Sequence, residues 1–326
     1  TAAVGDELPF PHRWVSQHEL AAMITHGSYR AVICSTGGRV ALPASWAATR
    51  IARLPLILWS SLWAHPRSPA HAFSYLALAR LYRSADALVT YGPHVSAYVR
   101  SRGARNVHIA PQAVDNDFWR APPTASEPHA KWPGEAGVKF MFVGRPDREK
   151  GIQVLIEAWR ASGLKAPSAA LVLVGVGSVP PWIPVGGAAD LGCSISLLPF
   201  VDPEQLRNFY GAADVLVVPS ISTRTFREPW GLVTNEAMNQ NLPVIASDAV
   251  GAVAGGLVRD AHNGLVVKAG DAQALAEAMR RLAGERQLRQ RLGQAGAHDV
   301  LAYTHTAWAD GFSSALASVQ LSARGW

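Results

Sequence analysis

At 326 residues, 49% hydrophobic and 17% charged, with a formal net charge of +6, the chain is long enough for two domains with separate cores. This composition excludes a disordered polymer, and no apolar run approaches the roughly 20 residues of a membrane span. The two cysteines, Cys34 and Cys193, stand far apart without metal-type spacing. That argues against a disulfide framework or structural zinc and fits a reducing, cytoplasmic setting.

The charge is uneven. Through residue 133 there are 13 Lys/Arg against 7 Asp/Glu, so the whole basic excess lies in the first part. Such a surface can contact an anionic membrane peripherally, at its inner face, or an acidic acceptor, or simply keep the protein soluble. The arginines are scattered without interleaved aromatics, which disfavours nucleic acid. The sequence opens at Thr1 with no basic and apolar leader pattern, and is expected to start inside a longer natural chain.

In chain order, residues 1–17 carry little periodicity and include Pro9 and Pro11, an irregular lead-in. A short helix follows from His18, a buried strand over 30–35, a turn at Thr36-Gly37-Gly38, a helix over 43–53 and a strand over 54–60. Trp63, His65, Pro66 and Arg67 fall in a loop. Then come a helix over 71–83, a strand over 87–90, a Gly92-Pro93 turn, a helix to Arg102 and a strand over 107–110. This strand-helix rhythm implies a parallel sheet covered by helices.

The interval 121–137, with Pro122, Pro123, Pro128 and Pro133, is the best linker, dividing residues 1–133 from 134–305. The rhythm restarts with a strand over 139–143 ending in Gly144-Arg145. Ile152, Leu155, Ile156 and Trp159 recur at helical spacing and place an amphipathic helix over 149–161. Strands are expected over 171–174, 195–198, 215–218, 243–247 and 264–268, the last closing the sheet, with a helix over 203–212. Helices over 271–284 and 285–303 follow. A last one, 306–321, is expected to carry residues 306–326 back to the first domain.

The densest chemistry lies in 224–247, RTFREPWGLVTNEAMNQNLPVIAS. If a helix begins at Pro229, the amides of Trp230, Gly231 and Leu232 are orphan donors at its positive end, which attracts phosphate. Glu236 then projects from the same helix about two turns in. Gly144-Arg145 at a strand end, and Lys150-Gly151 at the head of the next helix, form a second constellation that could grip a diphosphate. Taken alone, such residues are often solvated surface. Gly175-Val176-Gly177 lacks a third glycine at dinucleotide spacing and reads as a turn needing positive φ.

FVGRPDREKGIQVLIEAW, LVLVGVG, PFVDPEQLRNFYGAADVLVVPS and EPWGLVTNEAMNQNLPVIASD, in that order, resemble the C-terminal domain of GT-B retaining glycosyltransferases of family 4, the glycosyl transferases group 1. SADALVTYGPHVSAYVRSRG and VHIAPQAVDNDFW look like that family's last N-domain strand, helix and closing turn. The resemblance implies an α/β protein of two Rossmann-like domains facing a cleft. It implies retaining transfer of a hexose-type sugar from a nucleotide diphosphate sugar, UDP- or GDP-linked, to an unknown saccharide, lipid-linked or small acceptor. No metal or cofactor is implied, the nucleotide sugar being substrate. Carried over by residue, Gly144, Arg145 and Lys150 grip the diphosphate, which the amides of Gly231, Leu232 and Val233 also meet. Glu228 contacts the donor sugar and Glu236 the ribose hydroxyls. Phe200 and Val201 occupy the nucleobase position, though Phe200 equally fits a core aromatic. His65 is the candidate for the family's active-site histidine, although it stands several residues later than the pattern, and a loop histidine capping a backbone group is the alternative. Asp115-Asn116-Asp117 spells the D-x-D of metal-dependent transferases, but falls in the closing turn.

Two departures stand out. Only about 29 residues precede the first strand, so the N-terminal domain looks too short: either the natural chain is longer or this is a compact variant, and a sheet missing those strands is expected to expose an apolar edge. Asn241 replaces a common glycine, a change that left-handed geometry tolerates. The short first domain leaves two other readings open: a non-catalytic nucleotide-sugar-binding subunit, and a nucleotide-sugar epimerase on the same fold.

Overall fold

A computed structural model describes residues 15–37, 40–124, 137–183 and 194–323. The bulk of the lead-in, Gly38, most of the Pro-rich linker and Cys193 lie outside the described residues.

The first unit opens with α1 (Gln17–His26), whose Ser16 and Glu19 satisfy each other's amides in a capping box. It continues through β1 (Val32–Ser35), α2 (Ala41–Ala52), β2 (Leu56–Ser60), α3 (Pro69–Ser84), β3 (Ala87–Thr90), α4 (Pro93–Ser101) and β4 (Val107–Ile109). The four strands pair in parallel in the order β1-β2-β3-β4. Parallel strands covered on both faces read as continuous apolar runs, and all four residues of β3 are buried. By contrast, β1 is the outer strand among the described residues, and its Ile33 is 45% exposed.

The VDNDFW segment is not a simple turn. It forms α5 (Asn116–Arg120), capped by Asp115, whose carboxylate accepts the Phe118 amide at 3.0 Å. A leading aspartate of the D-x-D is thereby engaged as a helix cap.

The second unit runs β5 (Val138–Val143), α6 (Ile152–Ser162), β6 (Ala169–Val174), β7 (Ile195–Leu198), α7 (Pro203–Ala212), β8 (Val215–Val218), α8 (Val233–Asn239), β9 (Val244–Ser247), α9 (Gly251–Ala254), β10 (Gly264–Val267), α10 (Ala272–Gly284) and α11 (Arg286–Asp299). Its six strands are all parallel, in the order β10-β9-β8-β5-β6-β7. Strand alternation divides the core. Phe140 and Phe142 of β5 join Ile152, Leu155, Ile156 and Trp159 of α6 on one face, while Met141 joins Ala237 and Met238 of α8 on the other.

The expected helix over 149–161 is split. Arg148–Lys150 form a 3-10 turn, Gly151 sits at φ +74°, and the α-helix begins only at Ile152. Gly175 has φ +86°, as a GxG turn requires. Asn241 takes φ +59° just past α8, so the left-handed exit from that helix survives without glycine. The final helix, α12 (His305–Ala323), packs on the first sheet, where Phe312, Ala315 and Val319 meet Ile57, Ala87 and Val89.

Candidate active site

In the second sheet the winding reverses between β5 and β8: α6 covers one face and α8 the other. At such a switch point the two connections leave the carboxyl ends of adjacent strands in opposite directions and open a crevice. A cavity of about 410 Å³ lies there, lined by Gly144, Arg145 and Lys150 beyond β5, Ser220 beyond β8, Glu228, and residues 230–233.

Gly151 explains how Lys150 reaches this cavity. A Cβ on Gly151 would stand 2.0 Å from the Pro219 carbonyl, so only glycine lets the 3-10 turn press against the end of β8. The Ile221 amide donates to the Glu149 carbonyl at 2.9 Å and fastens the same contact. Lys150 Nζ then meets Glu228 Oε2 at 2.6 Å, an ion pair whose side chains are 24% and 9% exposed. Ser220 Oγ donates to the same carboxylate oxygen at 3.4 Å. Arg145 behaves differently: its side chain is 81% exposed and pairs with Asp147 at 2.9 Å. A surface pair of this kind contributes at most about 1 kcal/mol and exchanges readily for another anion.

The helix expected from Pro229 begins four residues later. Glu228 lies outside it, bridged to Val250 in β fashion, and Gly231 turns the chain at φ +91° before Leu232 caps α8. Proline's fixed φ suited a helix start, but the left-handed glycine two residues on precludes one. Glu236 therefore sits in the first turn of α8, not two turns in. A seven-residue helix has little macrodipole. What the cavity gains is a run of amides at Gly231, Leu232 and Val233 with no backbone acceptor among the described residues.

The Glu228 segment is latched across the cleft. Trp63 Nε1 donates to the Glu228 carbonyl at 3.1 Å, and His94 Nε2 lies 3.3 Å from the Pro229 carbonyl. A carbonyl only accepts, so Nε2 carries the proton. Burial lowers the His94 pKa, and its Nδ1 is a buried acceptor without a hydrogen-bond partner. On α8, Asn235 accepts from Trp230 Nε1 at 2.8 Å and donates to the Gln112 carbonyl at 3.1 Å, fixing the helix to the segment after β4.

The remaining sequence candidates are scattered. Glu236 does not line the 410 Å³ cavity; its Oε2 accepts from the buried Tyr210 hydroxyl at 2.8 Å. Burial pushes the Glu236 carboxyl up to about 7, the Tyr210 hydrogen bond opposing the rise. Phe200 is 86% exposed just past β7, which overturns a core role, whereas Val201 is buried in the core. His65 does not join Lys150 and Glu228. It lines a separate pocket of about 1230 Å³ between the loops at 61–68 and 222–227, with Nδ1 3.3 Å from the Tyr98 hydroxyl and its ring edge-on to Tyr75. The intervening Trp63, not His65, reaches the Glu228 segment. Sequence reasoning missed Ser220, Tyr91 and Gln112, which line the smaller cavity, and His94 at the Pro229 carbonyl. Ser220 was discoverable, since it follows a buried apolar run at the carboxyl end of a parallel strand; the others are brought in by the meeting of the two units.

Two Rossmann-like units facing a cleft, with cation-lined space at a strand switch point, define the GT-B class of fold. Residues 129–299 match the family model described as Glycosyl transferases group 1, and the chain belongs to that family. It is 37% identical over 188 residues to the D-inositol 3-phosphate glycosyltransferase of Nocardia farcinica, covering 54% of this chain and 39% of that protein. It is 32% identical over 188 residues to the lipopolysaccharide core biosynthesis glycosyltransferase LpsE of Rhizobium meliloti, covering 57% and 51%. The chain thus spans about half or less of these curated relatives. In fold it is similar to the sucrose-phosphate synthase from Thermosynechococcus elongatus, with TM-score 0.71, 24% identity, and 94% of this chain and 76% of that one covered. It is also similar to Anabaena Alr3699/HepE in complex with UDP and glucose, with TM-score 0.70, 19% identity and coverage of 93% and 81%.

Proposed function

We propose that the chain transfers a hexose-type sugar, with retention, from a UDP- or GDP-sugar to an acceptor, without a metal ion. The observation that carries this reading is the convergence of Lys150, Glu228, the Gly144-Arg145 strand end and the 231–233 amides on one switch-point cavity. The glycosyltransferase names of the relatives support it, as does the complex of Anabaena Alr3699/HepE, a protein of the same fold, with UDP and glucose.

The chemistry follows from charge. When the bond from the anomeric carbon to the phosphate oxygen breaks, negative charge grows on the departing diphosphate. Lysine and amide donors already fixed there stabilise that state more than the ground state. The acceptor oxygen forms its bond to the anomeric carbon from the same face, and its proton passes to the leaving phosphate oxygen. Glu228, held by Lys150 and Ser220, positions the sugar. Arg145 swings from Asp147 to the diphosphate, Glu236 takes the ribose hydroxyls, and the exposed ring of Phe200 offers a face to the base.

The test is turnover with a panel of UDP- and GDP-sugars and anomeric analysis of the product. Transfer with retained configuration, reduced about 100-fold or more by Glu228→Gln, is the expected result. UDP or GDP binding without transfer or donor hydrolysis would support the non-catalytic subunit instead, and donor isomerisation without acceptor would support an epimerase.

A further inference from the structure

The 1230 Å³ pocket is lined by four arginines, Arg67, Arg102, Arg224 and Arg227, together with His65, and among the described residues by no aspartate or glutamate. Among the described residues none of the four arginines is in an ion pair, whereas Arg50, Arg145, Arg259 and Arg281 all are. Solvated surface arginines alone would make this ordinary, but two are held in place. The Arg102 guanidinium lies 4.6 Å from the Tyr75 ring and 5.0 Å from the Tyr98 ring, and it donates to the Tyr75 hydroxyl. Its Nε is a buried donor without a hydrogen-bond partner, a cost that an acceptor reaching Nε would remove. Arg227 lies 4.9 Å over the Trp63 ring.

The walls are fastened across the cleft. The Arg67 amide donates to the Arg224 carbonyl at 2.5 Å, joining the 61–68 loop of the first unit to the 222–227 loop of the second. Each unit contributes two of the arginines. Pro229 lines both this pocket and the smaller cavity, so the two spaces adjoin there.

We infer that this pocket binds the acceptor through a phosphate group, gripped by the arginines of both units. The inference rests on the glycosyltransferase reading for the word acceptor, but not for the anion. Planar guanidinium forks match the oxygens of a phosphate with paired, charge-assisted hydrogen bonds, and no lining carboxylate opposes them. The pocket's size leaves room for an organic group attached to that phosphate, borne by either a soluble molecule or a lipid.

The experiment titrates UDP-saturated protein calorimetrically with inorganic phosphate, glycerol 3-phosphate and glycerol. A parallel arm measures binding to phosphatidylcholine vesicles with and without phosphatidic acid. Phosphate and glycerol 3-phosphate should bind saturably and glycerol should not. Arg67→Gln/Arg227→Gln, both exposed and safe for folding, should weaken that binding by about tenfold or more, the loss of a charge-assisted hydrogen bond. Arg102→Gln should do the same, with its circular dichroism compared to the parent. UDP affinity should stay within about twofold in all of them. Arginine-dependent binding to phosphatidic acid vesicles but not to glycerol 3-phosphate supports the inference and assigns a lipid-borne phosphate; the reverse supports it and assigns a soluble one. Equal binding of glycerol and glycerol 3-phosphate without arginine-dependent binding to phosphatidic acid vesicles, or binding to phosphate or to those vesicles unchanged by the double substitution, overturns it. Failure of UDP to bind the parent protein breaks the donor reading, and phosphate titrated without UDP still decides this one.

Discussion

The two cavities beside Pro229 are both cationic and are built in opposite ways. In the smaller, each cation has a carboxylate partner: Lys150 with Glu228 at 2.6 Å and Arg145 with Asp147 at 2.9 Å. In the larger, four arginines share the lining with no carboxylate among the described residues. Pairing removes net attraction and fixes geometry, which suits a place where charge develops during reaction. Unpaired charge leaves geometry looser and produces a field that draws an anion in. On the proposed reading the smaller cavity holds a donor in register, and the larger one traps something negatively charged. Binding in the larger should consequently be the more sensitive to salt.

The largest effect that can break this contrast comes from Lys150. Lys150→Met leaves Glu228 buried without its partner and should cost toward the lower end of about 3–5 kcal/mol, measured by urea unfolding. Lys150→Met/Glu228→Gln should recover most of that stability, yet neither variant should recover UDP binding. Recovery of both would make the pair purely structural.

Glu236 should give an intermediate effect and a pH signature. Its carboxyl, pushed up to about 7 from an ordinary 4.5, keeps its proton in the folded chain where the unfolded chain has lost it. The fold is favoured by this group below pH about 4.5, and that contribution is lost as pH rises toward about 7. Melting temperatures across this window should show that component of slope in the parent and not in Glu236→Gln. Nucleotide affinity should fall about tenfold in the same variant. The smallest effect is expected at His65. His65→Ala should change stability by less than about 1 kcal/mol and leave UDP affinity unaltered, whereas a loss of UDP affinity would return this residue to the donor side.

Much of the fold was legible because its strands are continuous apolar runs and its helices carry apolar residues at helical spacing. β3, β7, β8 and α7 fall where those patterns place them. The errors cluster where backbone geometry outweighs pattern. Pro229 suggested a helix start, but Gly231 at φ +91° delays it to Val233; Gly151 interrupts an otherwise unbroken helical period. Neither sign of φ is written in a composition pattern. For the site, Lys150 and Glu228 could be named from their motifs, yet their direct ion pair could not, since it joins residues far apart in sequence across a strand switch. The arginine pocket was least legible of all. Its members look scattered in the sequence and meet only because two loops from different units are joined at Arg67 and Arg224.

The central claim, that the switch-point cavity holds the nucleotide diphosphate, is tested most directly by a crystal structure of the protein with UDP. The diphosphate is expected within hydrogen-bonding distance of Lys150 Nζ and the amides of residues 231–233, with the Arg145 side chain turned away from Asp147. A diphosphate seated among Arg67, Arg102 and Arg227, with Lys150 still bonded only to Glu228, would contradict it.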